Sequence, residues 1–393
     1  MIVGISNGKE VPSLVSTSDE LKHGTLRRSI AKAFSQVGAL DYEFFVDQTI
    51  PDLVAALRKH EIVDLAEMLV FYSMDAANRL SFNEPLGCLD SESDVGGNIQ
   101  LIRDRFNHWG WWSSIPGIEK LVYRNPIAMR MKRAPSSMAA TAISRLKTRM
   151  LEAQHDINPH PDILHKFIQA SHDDPNTLGM TDIVSLLMST ISGAGDTTAS
   201  TLTAVIYNLL RHPSVLKSLR SELETRKVAY PPSFAEVNDL PLLNAVIKET
   251  MRIFSTPTWP MERKVPFGGV QILGVQVPEG TSVGCMPAAV HFNPAAFGED
   301  AEMFRPHRWL EADGSTLRAM EAAHLGFSRG RRVCLGQHVA MLQMKKVVAV
   351  LILKFKVLSV QLTFTRANTS YLDESCLSRS ESPGGYVSCC CLS

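Results

Sequence analysis

Apolar residues recur at helical spacing over most of this chain, and the pattern predicts its elements almost end to end. Residues 21–37 carry them behind a basic face of Lys22, Arg27, Arg28 and Lys32; residues 41–57 and 62–80 repeat the period. Residues 135–154 predict another amphipathic helix with Arg145, Lys147 and Arg149 outward, and the proline-broken segment 155–162, HDINPHPD, predicts a loop. The longest helix should open at the capping pair Thr181–Asp182 and stop before Pro213. Its run, IVSLLMSTISGAGDTTASTLTAVIYNLL, is apolar nearly all round, so it should cross the centre of the protein. A helix over 242–254 follows. Residues 265–283 then alternate and turn at Pro278–Gly280, which predicts strands, and 337–353 return to helix. Neither an internal repeat nor a Gly/Ser-rich linker divides the chain. The fold class expected is mainly α with a minor β region, in one domain.

Composition narrows the function. The 393 residues suffice for a large core, and a formal net charge of zero gives no basic face for nucleic acid. Seven cysteines are scattered without CxxC or Cys/His metal spacing, so neither a zinc site nor a disulfide framework is indicated and a reducing compartment fits best. The N-terminal MIVGISNGKEVPSL lacks a signal-peptide core, and the longest unbroken apolar run, 347–353, is too short to span a bilayer. The chain as written reads as soluble or peripheral.

One segment carries specific chemistry. Residues 327–336, FSRGRRVCLG, set Cys334 in a frame of glycines and arginines with Phe327 seven residues upstream. A thiolate bound axially to haem iron needs such a frame. Phe327 can cover the sulfur, Gly330 and Gly336 let backbone N–H groups turn toward it, and Arg332 can reach a propionate. A buried structural cysteine beside a basic turn is the competing account. The pattern FxxGxRxCxG resembles the cytochrome P450 haem signature at every fixed position, and Ala340 fits its extension.

Three further constellations stand in the order that this resemblance implies. Gly193-Ala194-Gly195-Asp196-Thr197-Thr198 interrupts the longest helix, where each glycine costs about 1 kcal/mol against alanine. The resemblance implies room for dioxygen there, with Asp196 and Thr197 as catalytic proton-relay groups; close helix packing at the glycines is the alternative. KETMR places Glu249 and Arg252 on one helix face, and FRPHRW supplies Arg308. Alone, the first pair would be a surface salt bridge; the resemblance implies a buried structural triad behind the haem. Haem propionates would be held by Arg332 with His23, Arg27 and Arg263, while Cys334 ligates the iron and Phe327 and Gly336 complete the cofactor site.

What the resemblance implies is a cytochrome P450 fold over 1–357, incomplete at both ends, with a divergent and disordered tail over 358–393. The N-terminal anchor, first sheet and first helix of the family are not recognisable, nor is its C-terminal hairpin. Residues 103–117, RDRFNHWGWWSSIPG, look like fungal P450s of the pisatin demethylase and benzoate 4-hydroxylase kind. The expected function is a haem b monooxygenase that hydroxylates or O-demethylates a small aromatic or secondary-metabolite substrate. Electrons would come from NADPH through a cytochrome P450 reductase docked at Arg329, Arg331, Lys345 and Lys346. Endoplasmic reticulum association follows from the family, although this chain carries no anchor. A truncated inactive relative and a reductase-independent isomerase of the same fold are the rival readings. Met188, Ile191 and Ser192, with Thr256, Thr258 and Trp259, are candidates to line the substrate pocket. Cys390-Cys391-Leu392-Ser393 formally fits a prenylation box without the usual basic run.

Overall fold

A computed structural model of the chain describes residues 4–6, 9–11, 13–112, 115–125, 127–128, 136–152, 161–256, 258, 260–360 and 389–392. Its axis is the helix Met180–Arg211, hereafter the central helix. Ile183, Leu187, Ile191, Ala199, Leu202, Val205 and Leu209 are almost wholly buried along it. The helices Leu65–Phe82, Ser137–Glu152, Pro241–Ile253 and Gln337–Lys354 pack around it, as expected of a helix apolar on all sides. It begins one residue before the expected pair. Gly179 is the N-cap, and the Asp182 carboxylate accepts the Gly179 N–H at 3.2 Å. It stops at Arg211, and Pro213 opens the helix Pro213–Thr225, where its missing N–H costs nothing.

Elsewhere the periodicity holds with local corrections. The single helix expected over 21–37 is three pieces: Glu20–Ile30, a 3-10 turn Ala31–Phe34, and Gln36–Leu40. Ser35 is extended and its Oγ accepts the Gly38 N–H at 3.0 Å, so a serine N-cap restarts the chain where apolar spacing alone suggested continuity. Ile62 and Val63 form a short strand ahead of Leu65–Phe82, with Asp64 capping that helix through the Glu67 N–H. Within the same helix, buried Asp75 accepts the N–H groups of Gly87, Cys88 and Leu89 at 2.7, 3.0 and 2.8 Å, which compensates its desolvation.

The β portion is small. Gly4–Ser6 (β1) pairs with Lys9–Val11 (β2), and Ile62–Val63 is β3. Arg263–Lys264 (β4) pairs with Ser282–Val283 (β7), and Val270–Ile272 (β5) with Val275–Val277 (β6), all antiparallel. Leu273 and Gly274, at φ 48° and 82°, make the tight β5–β6 turn. Lys356–Val360 (β8) and Cys389–Leu392 (β9) pair with each other, and β9 also pairs with β3. The tail expected to be disordered therefore has residues 358–360 and 389–392 in strands; residues 361–388 and Ser393 lie outside the described residues. Among the described residues no helix is long and apolar enough to cross a membrane.

Candidate active site

The turn before the helix Gln337–Lys354 shapes the surroundings of Cys334. Gly330 at φ 75° starts a 3-10 turn through Arg332, a left-handed conformation that glycine adopts without strain. The Cys334 N–H donates to the Phe327 carbonyl at 2.9 Å, which closes the loop and sets the two residues side by side. Burial pushes the Cys334 thiol up; a hydrogen bond from the Gly336 N–H and the charge of Arg27 oppose it. Yet the residue is accessible to solvent. The thiol is thus crowded by protein atoms on most sides and open to solvent on another. The helix that starts at Gln337 adds its positive end next to the sulfur.

Beside that turn the structure gathers His23, Arg27, Arg263 and Arg332, three segments of the chain that sequence alone could only nominate. His23 is buried, and its imidazole is held below its ordinary pKa by burial first, then by Arg332, Arg27 and Arg263, against the pull of Glu20. Arg263 is lowered by burial and by Arg332. Glu20 is the one carboxylate among the described residues that answers these charges, accepting from Arg332 Nε and Nη2 at 3.0 and 2.6 Å. Arg332 Nη1 is buried with no partner among the described residues. So dense a group of cations around a single acid is suited to further anions.

On the central helix the two glycines differ. A Cβ on Gly195 would lie 2.4 Å from Met74 Sδ, so this glycine permits close packing of the helix Leu65–Phe82. A Cβ on Gly193 would meet no protein atom within 4 Å, and the same is true at Gly336. Gly193 thus borders open space, and both readings of the motif apply, one to each glycine. Asp196 is pushed up by burial, with Arg103 of the helix Asn98–Trp112 pulling the other way. Thr197 Oγ donates to the Gly193 carbonyl at 2.6 Å. Among the described residues no hydrogen bond or ion pair joins Asp196 or Thr197 to the Cys334 turn.

Glu249, Arg252 and Arg308 do meet, and they are buried rather than on the surface. Glu249 accepts from Arg252 Nε and Nη2 at 2.9 and 2.8 Å, from Arg308 Nε at 2.9 Å, and from Trp309 Nε1 and the Arg305 N–H, both at 2.9 Å. Arg252 also donates to the carbonyls of His291, Ala301 and Met303.

Other expectations need correction. Lys345 and Lys346 supply no docking charge. Lys346 is fully buried, with Nζ 2.5 Å from Glu43 Oε1 and 2.6 Å from Asp47 Oδ1. Lys345 donates to the side chain and carbonyl of Asn238, and burial pushes its ammonium down to about 8. Arg329 and Arg331 remain exposed. Ile191 faces Met74, Asn78 and Met138 across a small cavity, and Ser192 Oγ donates to Met138 Sδ at 3.6 Å; these two side chains are engaged by neighbouring helices. Met188 packs half-buried against the core. Thr256 Oγ1 is buried with no partner among the described residues, Thr258 is half-buried, and Trp259 lies outside the described residues. Sequence reasoning missed Glu20, Arg103, the buried His291 and the half-buried His324, because each acts across a long stretch of chain and no local spacing marks it.

Comparison with known proteins agrees with this geometry. The cytochrome P450 family profile matches residues 8–370. A cytochrome P450 monooxygenase of Aspergillus terreus is 34% identical over 367 residues, covering 89% of this chain and 74% of the relative. The cytochrome P450 monooxygenase pkfB of Emericella nidulans is 33% identical over 356 residues, covering 88% and 70%. The crystal structure of the cytochrome P450DA heme domain superposes with a TM-score of 0.74 at 20% identity, covering 96% of this chain and 78% of that one. The mainly α architecture with small sheets is therefore the P450 fold, and the chain belongs to the cytochrome P450 family of haem-iron monooxygenases.

Proposed function

We propose that this chain is a haem-thiolate monooxygenase that hydroxylates, or O-demethylates, a small aromatic or secondary-metabolite substrate. The observation that carries the reading is Cys334, solvent-accessible in its turn with the Gly336 N–H turned to its sulfur. The residues around it fit haem b. Arg27, Arg263 and Arg332 crowd one carboxylate, and Arg332 Nη1 is buried without a partner among the described residues, which suits two propionates; Gly193 and Gly336 border open space. Bound there, haem would supply the oxidative chemistry that places one atom of dioxygen in the substrate and the other in water.

The chain's own residues would do the rest. Cys334 holds the metal, and the Gly336 N–H moderates the charge on the sulfur. Phe327 is fixed beside it by the Cys334 N–H bond to its carbonyl. His23, Arg27, Arg263 and Arg332 bind the propionates. Asp196, kept protonated further toward neutrality than an ordinary carboxyl group, can donate a proton from its Oδ; Thr197, whose own hydrogen rests on the Gly193 carbonyl, leaves the lone pairs of its Oγ free to accept a hydrogen bond and so orient a proton-carrying water.

Electrons would arrive from NADPH through a cytochrome P450 reductase, with Arg329 and Arg331 on the exposed side of the cysteine turn to receive it. Association with the endoplasmic reticulum is proposed from the family. The relatives are fungal cytochrome P450 monooxygenases and not specifically of the pisatin demethylase or benzoate 4-hydroxylase kind, so the aromatic substrate rests on the sequence of residues 103–117 alone. That segment begins on the helix Asn98–Trp112, whose Ile102 reaches the central helix at Gly195. The test is a carbon monoxide difference spectrum of the reduced protein, wild type against Cys334→Ser, followed by turnover with NADPH and reductase. A thiolate-type band present in the first and abolished in the second is expected. A wild-type chain that takes up no haem, or a C334S protein that retains the band, refutes the reading.

A further inference from the structure

We propose that His291 is a positioning residue: its unprotonated Nε2 holds the Leu325 amide, and through it the loop bearing Phe327 and Cys334, against the helix Pro241–Ile253. The inference rests on the haem-thiolate reading of Cys334. His291 ends the short helix Pro287–His291 and is fully buried. Its Nε2 lies 2.8 Å from the Leu325 nitrogen, and an amide N–H can only donate, so Nε2 is the bare, accepting nitrogen. The ring hydrogen is therefore on Nδ1, 2.9 Å from the Arg252 carbonyl and 2.8 Å from Ser255 Oγ. The backbone carbonyl of the same histidine accepts from Arg252 Nη1 at 2.8 Å. One residue thus grips Arg252 from both sides and reaches the cysteine loop with its remaining nitrogen.

The loop passes that constraint on. The Leu325 carbonyl accepts the Ser328 N–H at 2.8 Å, and the Phe327 carbonyl accepts the Cys334 N–H at 2.9 Å. Between them Gly326 sits so close to the helix that a Cβ there would lie 2.8 Å from Met251 Cε and 2.8 Å from His324 Cε1. The His324 ring stacks on His291 at 5.3 Å between centroids and 20° between planes, with its Nε2 3.1 Å from the Lys248 carbonyl.

Protonating His291 would replace an acceptor with a donor facing the Leu325 N–H. The charged and titratable groups around it leave no compensation. Arg252 and Glu249 face it from the helix Pro241–Ile253, and His324 from the loop; Glu249 is already occupied by Arg252, Arg308 and Trp309. Burial, then the charge of His324, pushes His291 down to about 4, and burial likewise pushes His324 down to about 4.

Two substitutions separate the acceptor from the ring. In His291→Gln the amide oxygen can stand where Nε2 stood; in His291→Asn the amide reaches only the Nδ1 position. In the haem-loaded protein, H291Q should keep the thiolate-type carbon monoxide band at neutral pH, and H291N should lose most of it to the thiol-type band. On acidification the wild type should lose the band as pH falls toward about 4, and H291Q, which has nothing to protonate there, should lose it at lower pH. In the haem-free chain, amide hydrogen exchange over residues 324–336 should quicken about tenfold in H291N and stay near wild type in H291Q. An H291N protein with wild-type band and exchange overturns the proposal, as does an H291Q protein that fails like H291N or keeps the wild-type acid midpoint. A wild-type chain without the thiolate band overturns the haem-thiolate reading instead, and the exchange comparison then decides the hold on Leu325 separately.

Discussion

Replacing Glu249 by glutamine removes one charge and changes almost no volume, so its effect measures what the buried carboxylate does. Glu249 is fully buried and accepts from Arg252, Arg308, Trp309 and the Arg305 backbone. In E249Q one oxygen becomes an NH2 group that faces donors, and two buried guanidinium groups lose their shared anion. Breaking a buried pair by removing one partner costs about 3–5 kcal/mol. The exposed pair Arg305–Glu311, at 2.7 Å, is the internal control: Glu311→Gln should cost less than about 1 kcal/mol. Urea unfolding followed by tryptophan fluorescence and far-ultraviolet circular dichroism would report both midpoints, with Trp309 itself a reporter at the site. Burial alone would raise the Glu249 carboxyl, but hydrogen bonds and charge from Arg252 more than offset it and hold it below its ordinary value. Its contribution is therefore present above the ordinary carboxyl range and is lost as pH falls through the lowered folded value, so E249Q should also flatten the acid limb of the stability profile. An E249Q midpoint indistinguishable from that of E311Q would show that the triad is a bystander to stability.

Three more outcomes follow from the same geometry. Gly195→Ala should destabilise by about 1–3 kcal/mol through overpacking against Met74, seen as a lowered thermal midpoint, and Met74→Val should recover part of it; Gly193→Ala should be better tolerated. Thr197→Val should leave haem uptake and the carbon monoxide band intact and lower product formation by about 10²-fold, with Thr197→Ser close to wild type; equal activity in T197V would remove Thr197 from the proton path. His291 binds fewer protons folded than unfolded between about pH 6.5 and its folded value near 4, so its share of stability, about 3 kcal/mol, should disappear as pH falls across that window and stay constant below it. A urea midpoint that does not decline over that range would contradict the burial of a neutral imidazole.

Features whose chemistry is local could be read from the chain without its fold. Cys334 with Gly330 and Gly336 fits in ten residues, Glu249 and Arg252 share a helix face by spacing, and the central helix announces itself by having no polar side. Charge compensation across the chain could not be read in this way. Lys22 and Lys346 look alike as letters, yet one is half-exposed and the other is sealed between Glu43 and Asp47, some three hundred residues upstream. In a helix already apolar around 345–346, the pattern offers only two accounts, an interruption or an exposed face. The third, a cation neutralised inside the core, requires knowing which carboxylates the fold brings to it, since an unpaired ammonium there would not stay charged. The same holds for His291: nothing in PAAVHFNP distinguishes an imidazole that must stay neutral, because the donor that defines its role, the Leu325 amide, arrives from 34 residues downstream. The cysteine loop is thus specified twice, locally by glycines and remotely by a buried polar scaffold. The remote half sets how firmly the local half is held.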